Sequence, residues 1–200
     1  MKKKENKKLF KNTTQMIIYI ILYIICIGLF IYVGKIDYSK NKVDESVKFS
    51  SLYNLVPENN LYVFSNHNDV IDILNGRSGV ILFSFPSNKY ANKYAYLLNK
   101  ACLYSGVDKI YYYDFLKDRD ESNGTYETIV NKLDGYVRET DEGIKDLYAP
   151  SILIVKKGKI IKYLDSLTFL NSYNNIDEYF EENEDIIYNE ITSALELYVK

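Results

Sequence analysis

The chain is poor in the residues that most often carry chemistry. It has no tryptophan, one histidine and two cysteines among 200 residues. With His67 alone, neither a histidine-based metal site nor a cysteine–histidine catalytic pair can be built. Cys26 falls in a long apolar run and Cys102 in the globular part, so the two do not pair and no disulfide framework exists. Proline (3) and glycine (9) are also scarce, which excludes collagen-like and low-complexity chains. The first eleven residues carry six lysines against Glu5, a net +5; with the whole chain at −2, the remainder carries −7. An acidic remainder of that size argues against nucleic acid as a partner.

Apolar residues make up 47% of the chain, enough for one ordinary core. Tyrosine is abundant at 21, part of an Ile, Asn, Lys and Tyr bias of the kind an AT-rich genome produces. The longest apolar run, Met16 to Val33, has 18 residues and no charge. As a helix it is about 27 Å long, close to the ~30 Å hydrocarbon core of a bilayer. The basic head (residues 1–15, with Lys2, Lys3, Lys4, Lys7, Lys8 and Lys11) precedes it, so the positive-inside rule expects a cytoplasmic N-terminus and an outward-facing remainder at the cell membrane. A cleaved signal peptide is the competing reading. The run is long for one, no Ala-x-Ala-like site follows, and Ile24-Ile25-Cys26 is not a lipoprotein box. An uncleaved single-pass anchor over Met16 to Gly34 is expected.

Residues 35–55 are polar and read as a stalk. A folded domain is expected over residues 56–170 and an acidic helical segment over residues 171–200. Within the domain, Leu61 to Phe64 reads as a short strand, and a helix from Asp69 to Leu74 is expected with Ser65 or Asn68 as its cap. Gly79 to Phe85 is a continuous apolar run bounded by Gly and Pro, as in a strand buried on both faces. From Lys89, the residues Tyr90, Tyr94, Leu97, Leu98 and Ala101 recur at helical spacing up to Gly106. Asp108 to Phe115 reads as the next strand, giving a βαβ unit with parallel strands. Tyr126 to Val137 is a further helical pattern. Ser151 to Val155 and Lys159 to Leu164 flank Lys156-Lys157-Gly158 as a β-hairpin. In the last segment Ile176, Tyr179, Phe180, Ile187, Ile191, Leu195 and Tyr198 form an inner face. The fold class is therefore α/β, a mixed sheet flanked by helices behind one transmembrane helix.

The order βαβ, helix, X-Pro and hairpin resembles the thioredoxin-like superfamily over Pro57 to Leu164. The residues that carry this are Gly79 to Pro86, Lys109 to Asp114, Arg119-Asp120, and Leu147-Tyr148-Ala149-Pro150 through Lys159-Ile160. More narrowly, the chain is similar to membrane-anchored thioredoxin-like proteins of Gram-positive bacteria, including bacteriocin-transport accessory proteins. The resemblance implies a Cys-x-x-Cys motif at the start of the first long helix, where the helix terminus stabilises a thiolate. Here those positions read Asn88, Lys89, Tyr90 and Ala91, and neither Asn nor Ala can form a mixed disulfide. The strand before them offers no buried carboxylate as a proton acceptor. The resemblance also implies a cis-proline at Pro150, and a backbone edge at Ala149 and Pro150 that pairs with an extended peptide.

The remaining candidates are bland. Cys102 reads as a small buried hydrophobe, and His67 as part of a solvated turn. Asp118, Asp120, Ser122 and Asn123 resemble the start of a calcium loop, but the Gly and Glu that such a loop needs are replaced by Asn123 and Ile129. Glu181 to Asp185 reads as a solvated helix face or a linker between two short helices. Tyr90, Tyr94 and Tyr96 read as core and rim. No cofactor is expected. The expectation is a non-catalytic, outward-facing domain that binds a protein or peptide as an accessory subunit. The alternatives are a thiol-disulfide oxidoreductase working through Cys102 or a partner's thiols, and a structural envelope protein.

Overall fold

The apolar run read as a membrane span lies inside α1 (Thr13–Leu52), the first element of the computed structural model, which describes residues 13–122, 124–140, 142–169 and 175–200. Met16–Gly34 has a mean hydropathy of 2.8, and none of it is buried against protein. A helix satisfies its own backbone polar groups, so this stretch is long and apolar enough to cross a membrane. The lysines of the basic head lie outside the described residues. The chain divides into two compact units, 1–42 and 43–200.

The second unit is built on a five-stranded mixed sheet. Its strands are β1 (Tyr62–Phe64), β2 (Gly79–Phe83), β3 (Ile110–Tyr113), β6 (Ser151–Lys156) and β7 (Lys159–Asp165), in the spatial order β1-β3-β2-β6-β7. β3 runs parallel to both β1 and β2, whereas β6 is antiparallel to β2 and β7. β2 sits at the centre and is buried along its whole length. Its side chains alternate, so Val80 and Leu82 serve one core layer and Ile81 and Phe83 the other. The parallel βαβ unit and the β6–β7 hairpin are both present as the sequence pattern indicates. A small separate ladder pairs β4 (Arg138–Glu139) with β5 (Lys145–Asp146).

One face of the sheet packs on α3 (Ala91–Ser105), α6 (Ile176–Val199) and the end of α1. The other packs on α2 (His67–Leu74) and α5 (Gly124–Lys132), with α4 (Leu116–Asp120) between β3 and α5 in the chain. Local chemistry sets the ends. α2 is capped by Asn66 rather than Ser65 or Asn68: its side chain accepts from the N–H groups of Asn68 and Asp69, and Asp69 returns a bond to the Asn66 N–H. α3 stops at Gly106, whose φ of 74° is open to a residue without Cβ. The hairpin turns at Lys157 and Gly158, both with positive φ; a side chain at Gly158 would press on the Gly76 backbone at 2.9 Å.

Three expectations change. Residues 35–55, read as a stalk, are helical through Leu52, and from Val43 onward they belong to the folded unit. Phe49 and Tyr53 are fully buried there, with Phe49 stacked on Tyr62 at 3.7 Å between ring centroids. In the segment read as a separate acidic helix over 171–200, α6 joins the same core: Tyr179, Phe180, Ile187, Ile191 and Leu195 all pack against the sheet layer. α6 is one helix, so Glu181 to Asp185 is no linker, and Asn183 is buried with its amide on the Tyr179 carbonyl. Finally, the helix expected to reach Val137 ends at Lys132, before Gly135 at a φ of 84°.

Candidate functional site

The junction between β2 and α3 faces the loop that leads into β6. The chain leaves β2 through Ser84 and Phe85, turns at Pro86-Ser87, and enters α3 at Ala91. Across the sheet, β2 pairs with β6 from Gly79↔Val155 to Phe83↔Ser151. That register sets Pro150 and Ala149 level with the turn. The Ala149–Pro150 bond is cis. Asn88 and Ala149, both singled out in the sequence, therefore meet although 61 positions separate them.

Asn88 makes the joint. Its Nδ2 donates to the carbonyl of Ala149 at 2.7 Å, and its Oδ1 accepts the Tyr90 N–H at 2.9 Å. Its backbone N–H donates to Phe85 and its carbonyl accepts from Ala91. The amide is thus held at both ends, one by the entry to α3 and one by the opposite loop. The Ala149 carbonyl also accepts from the Ser166 hydroxyl at 3.2 Å, and the Pro150 carbonyl accepts from the Ser166 N–H at 3.0 Å. Both lone-pair directions of the Ala149 oxygen are used. The Ala149 N–H has no hydrogen-bond partner among the described residues.

Beneath this surface a chain of hydroxyls runs into α6. Tyr179 donates to the Ser166 carbonyl at 3.1 Å, so the 2.7 Å contact between Tyr94 and Tyr179 has Tyr94 as its donor. Tyr90 packs edge-on against Tyr179 at 4.9 Å. Burial, with the neighbouring Tyr179 hydroxyl, holds the Tyr94 phenol far above its usual range. Lys89 points outward with its ammonium 4.9 Å from the Tyr90 ring, while Ala91 is fully buried. Ser84, at the end of β2 where a proton-accepting carboxylate would be useful, is fully buried, and its hydroxyl has no partner among the described residues.

Neither cysteine reaches the junction. Cys102 is on the buried face of α3, three turns from Ala91, and desolvation pushes its thiol well above the ordinary range. Cys26 lies in the apolar helix. His67 opens α2 with its Nδ1 3.9 Å from Asp118, an ion pair when the imidazole is protonated. The residues that resembled a calcium loop sit partly in α4: Asp118 accepts from the Tyr113 hydroxyl and Asp120 from Arg119, and Asn123 lies outside the described residues. Among the described residues no group of three His, Cys, Asp or Glu side chains gathers to hold a metal.

Sequence reasoning named Asn88 only as a missing thiol. The bond from its amide to Ala149 spans 61 positions, and Ser166 and Tyr179 join the same network from elements no local pattern connects to it. No family model, no curated protein and no solved structure matches this chain.

Proposed function

We propose that this chain is a membrane-tethered, thioredoxin-like domain without thiol chemistry, which holds a protein or peptide partner on the outer side of the membrane. The thioredoxin-like reading is supported by the strand order, in which a parallel β1-β3-β2 set meets an antiparallel hairpin, and by the start of α3 lying against the loop before β6. The outward orientation is supported by the lysine-rich head ahead of the apolar helix. One observation carries the non-redox reading. An amide, Asn88, stands where the nucleophilic thiol belongs and is hydrogen-bonded into the scaffold at both ends. A side chain so held is a structural joint, and the chain's remaining globular thiol is buried in the core. What the surface keeps is a recognition geometry: a helix entry with an exposed Lys89, half-buried Tyr90, and a backbone edge beside it.

Chemical crosslinking followed by affinity capture from the native membrane tests this directly. The full chain at native expression recovers a defined partner, and Lys89→Glu reduces the yield without unfolding the domain. Recovery of nothing specific sinks the proposal. So does turnover in an insulin-reduction assay that Cys102→Ser abolishes.

A further inference from the structure

A backbone edge recruits an extended chain by offering both an N–H and a carbonyl, since a β-bridge exchanges the two bonds together. At Ala149 only half of that offer is open. The N–H has no partner among the described residues, whereas the oxygen already accepts from Asn88 at 2.7 Å and from Ser166 at 3.2 Å. These two donors are not equivalent. Ser166 is 2% exposed and is fixed further by its own N–H on Pro150 and its carbonyl under Tyr179. Asn88 is only partly buried.

From this geometry we infer that Asn88 is a built-in stand-in for a partner strand: its amide occupies the Ala149 carbonyl and closes the edge to extended polypeptide until it is displaced. The inference rests on the binding reading above and assigns it a ligand class, an extended segment whose own backbone N–H and carbonyl are both free. It also sets the terms of entry. The incoming N–H replaces the Asn88 amide on the same oxygen, so the partner gains one net bond at Ala149 instead of two. Asn88 loses its contact to Ala149 but keeps its contact to the Tyr90 N–H, because different atoms of the side chain make the two bonds. The gate therefore opens without releasing the Tyr90 N–H.

That division of labour supplies the test. Asn88→Asp retains an oxygen for the Tyr90 N–H, removes the donor, and turns a carboxylate oxygen toward the Ala149 carbonyl, which repels it. Asn88→Ala removes both contacts and serves as the second variant. The probe is fluorescein-labelled insulin B chain, reduced and alkylated, a polypeptide with no thiol to exchange. It is titrated by anisotropy against the full chain in detergent micelles, with circular dichroism to verify that each variant is folded. Freeing one hydrogen bond is expected to tighten binding several-fold to about tenfold for both variants. Equal affinity in wild type and folded Asn88→Asp, whether strong or undetectable, overturns the inference. That result is distinct from failure of the binding reading, which is decided by whether wild type captures a partner from its native membrane.

Discussion

Arg138 grips the carboxylate of Asp165 with Nε at 2.9 Å and Nη2 at 3.3 Å, joining β4 to the end of β7 across 27 positions. Asp165 is 3% exposed and also accepts from Thr168 at 2.9 Å, while Arg138 is half in solvent. Asp165 directly precedes Ser166, so this pair steadies the residue that holds Ala149 from behind. Removing the guanidinium leaves a buried carboxylate with a single neutral donor. Arg138→Ala is expected to cost about 2–4 kcal/mol in urea unfolding, below the full value of a wholly buried pair because Arg138 is partly hydrated. Arg138→Lys recovers only part of it, since an ammonium cannot reproduce the forked geometry. A cost within ~0.5 kcal/mol for Arg138→Ala contradicts this account.

The core is unusually rich in tyrosine hydroxyls, and this makes stability sensitive to alkali. Burial pushes the Tyr53 phenol up to about 12 from its usual 10.0, and the phenols of Tyr62, Tyr94 and Tyr112 are also raised well above the usual range, again mainly by desolvation. A phenol whose folded pKa lies above its unfolded value contributes stability that is complete below pH ~10 and is lost as pH climbs through the folded value. The free energy of unfolding should be flat with respect to these groups up to pH ~10 and fall steeply from there past 12. Tyrosinate absorbance followed through the same range should rise in two stages, exposed phenols first and core phenols together with unfolding. A single smooth titration near pH 10 with the fold intact would refute the assignment.

Phe49 is the clearest test of where the folded unit begins. It lies fully buried between Tyr62 at 3.7 Å and Tyr53 at 4.6 Å, with Tyr112 edge-on at 5.1 Å. Asn60 fixes the same turns of α1 by donating to the Ser46 carbonyl at 2.8 Å and the Ser50 hydroxyl at 3.0 Å. Phe49→Ala is expected to destabilise by about 3–5 kcal/mol, the range for emptying an aromatic site in a packed core. A chain beginning at Val56 lacks Phe49 and Tyr53 and should fail to give cooperative unfolding, whereas one beginning at Val43 should fold. Cooperative unfolding of the shorter chain by circular dichroism would show that these aromatics are dispensable.

The sheet was legible because its signals are local. Gly79 to Phe83 is apolar without a break, and Lys157-Gly158 supplies the positive φ values that a tight hairpin needs. Gly106 closes α3 by the same chemistry. The end of α1 was not legible because Phe49, with Tyr53 just past the last residue of the helix, turns inward among polar neighbours; three-dimensional contacts with Tyr62 and Tyr112 make that stretch an inner element. The acidic run of α6 hid its continuity for a related reason, since the residue facing inward at its centre is polar Asn183. At the site, the positions could be named from order and spacing, yet the meaning of Asn88 could not. Its role depends on which group its amide meets, and that group is 61 positions away.

Placing two thiols at the junction tests whether the proposed thioredoxin-like scaffold can support redox chemistry. Asn88 precedes α3 at its entry and Ala91 is its first residue, fully buried. Thiols at these two positions would sit at the start of a 15-residue helix, one toward the rim and one beneath it, where the helix terminus favours a thiolate. The double variant Asn88→Cys with Ala91→Cys is expected to form an intramolecular disulfide in oxidised glutathione and to reduce insulin in its dithiol form. Removal of the Asn88 amide also frees the Ala149 carbonyl for the substrate chain, so the two effects act together. The buried Ser84 hydroxyl is a poor proton acceptor, which should leave turnover slow; adding Ser84→Asp should raise it if a carboxylate below the helix entry is what proton transfer lacks. Disulfide formation is read by mass and by mobility after alkylation, and turnover by insulin turbidity. A folded double variant that stays a free dithiol under oxidising conditions would mean the two positions do not have the spacing of a redox pair, and the thioredoxin-like reading of this junction would fall with it.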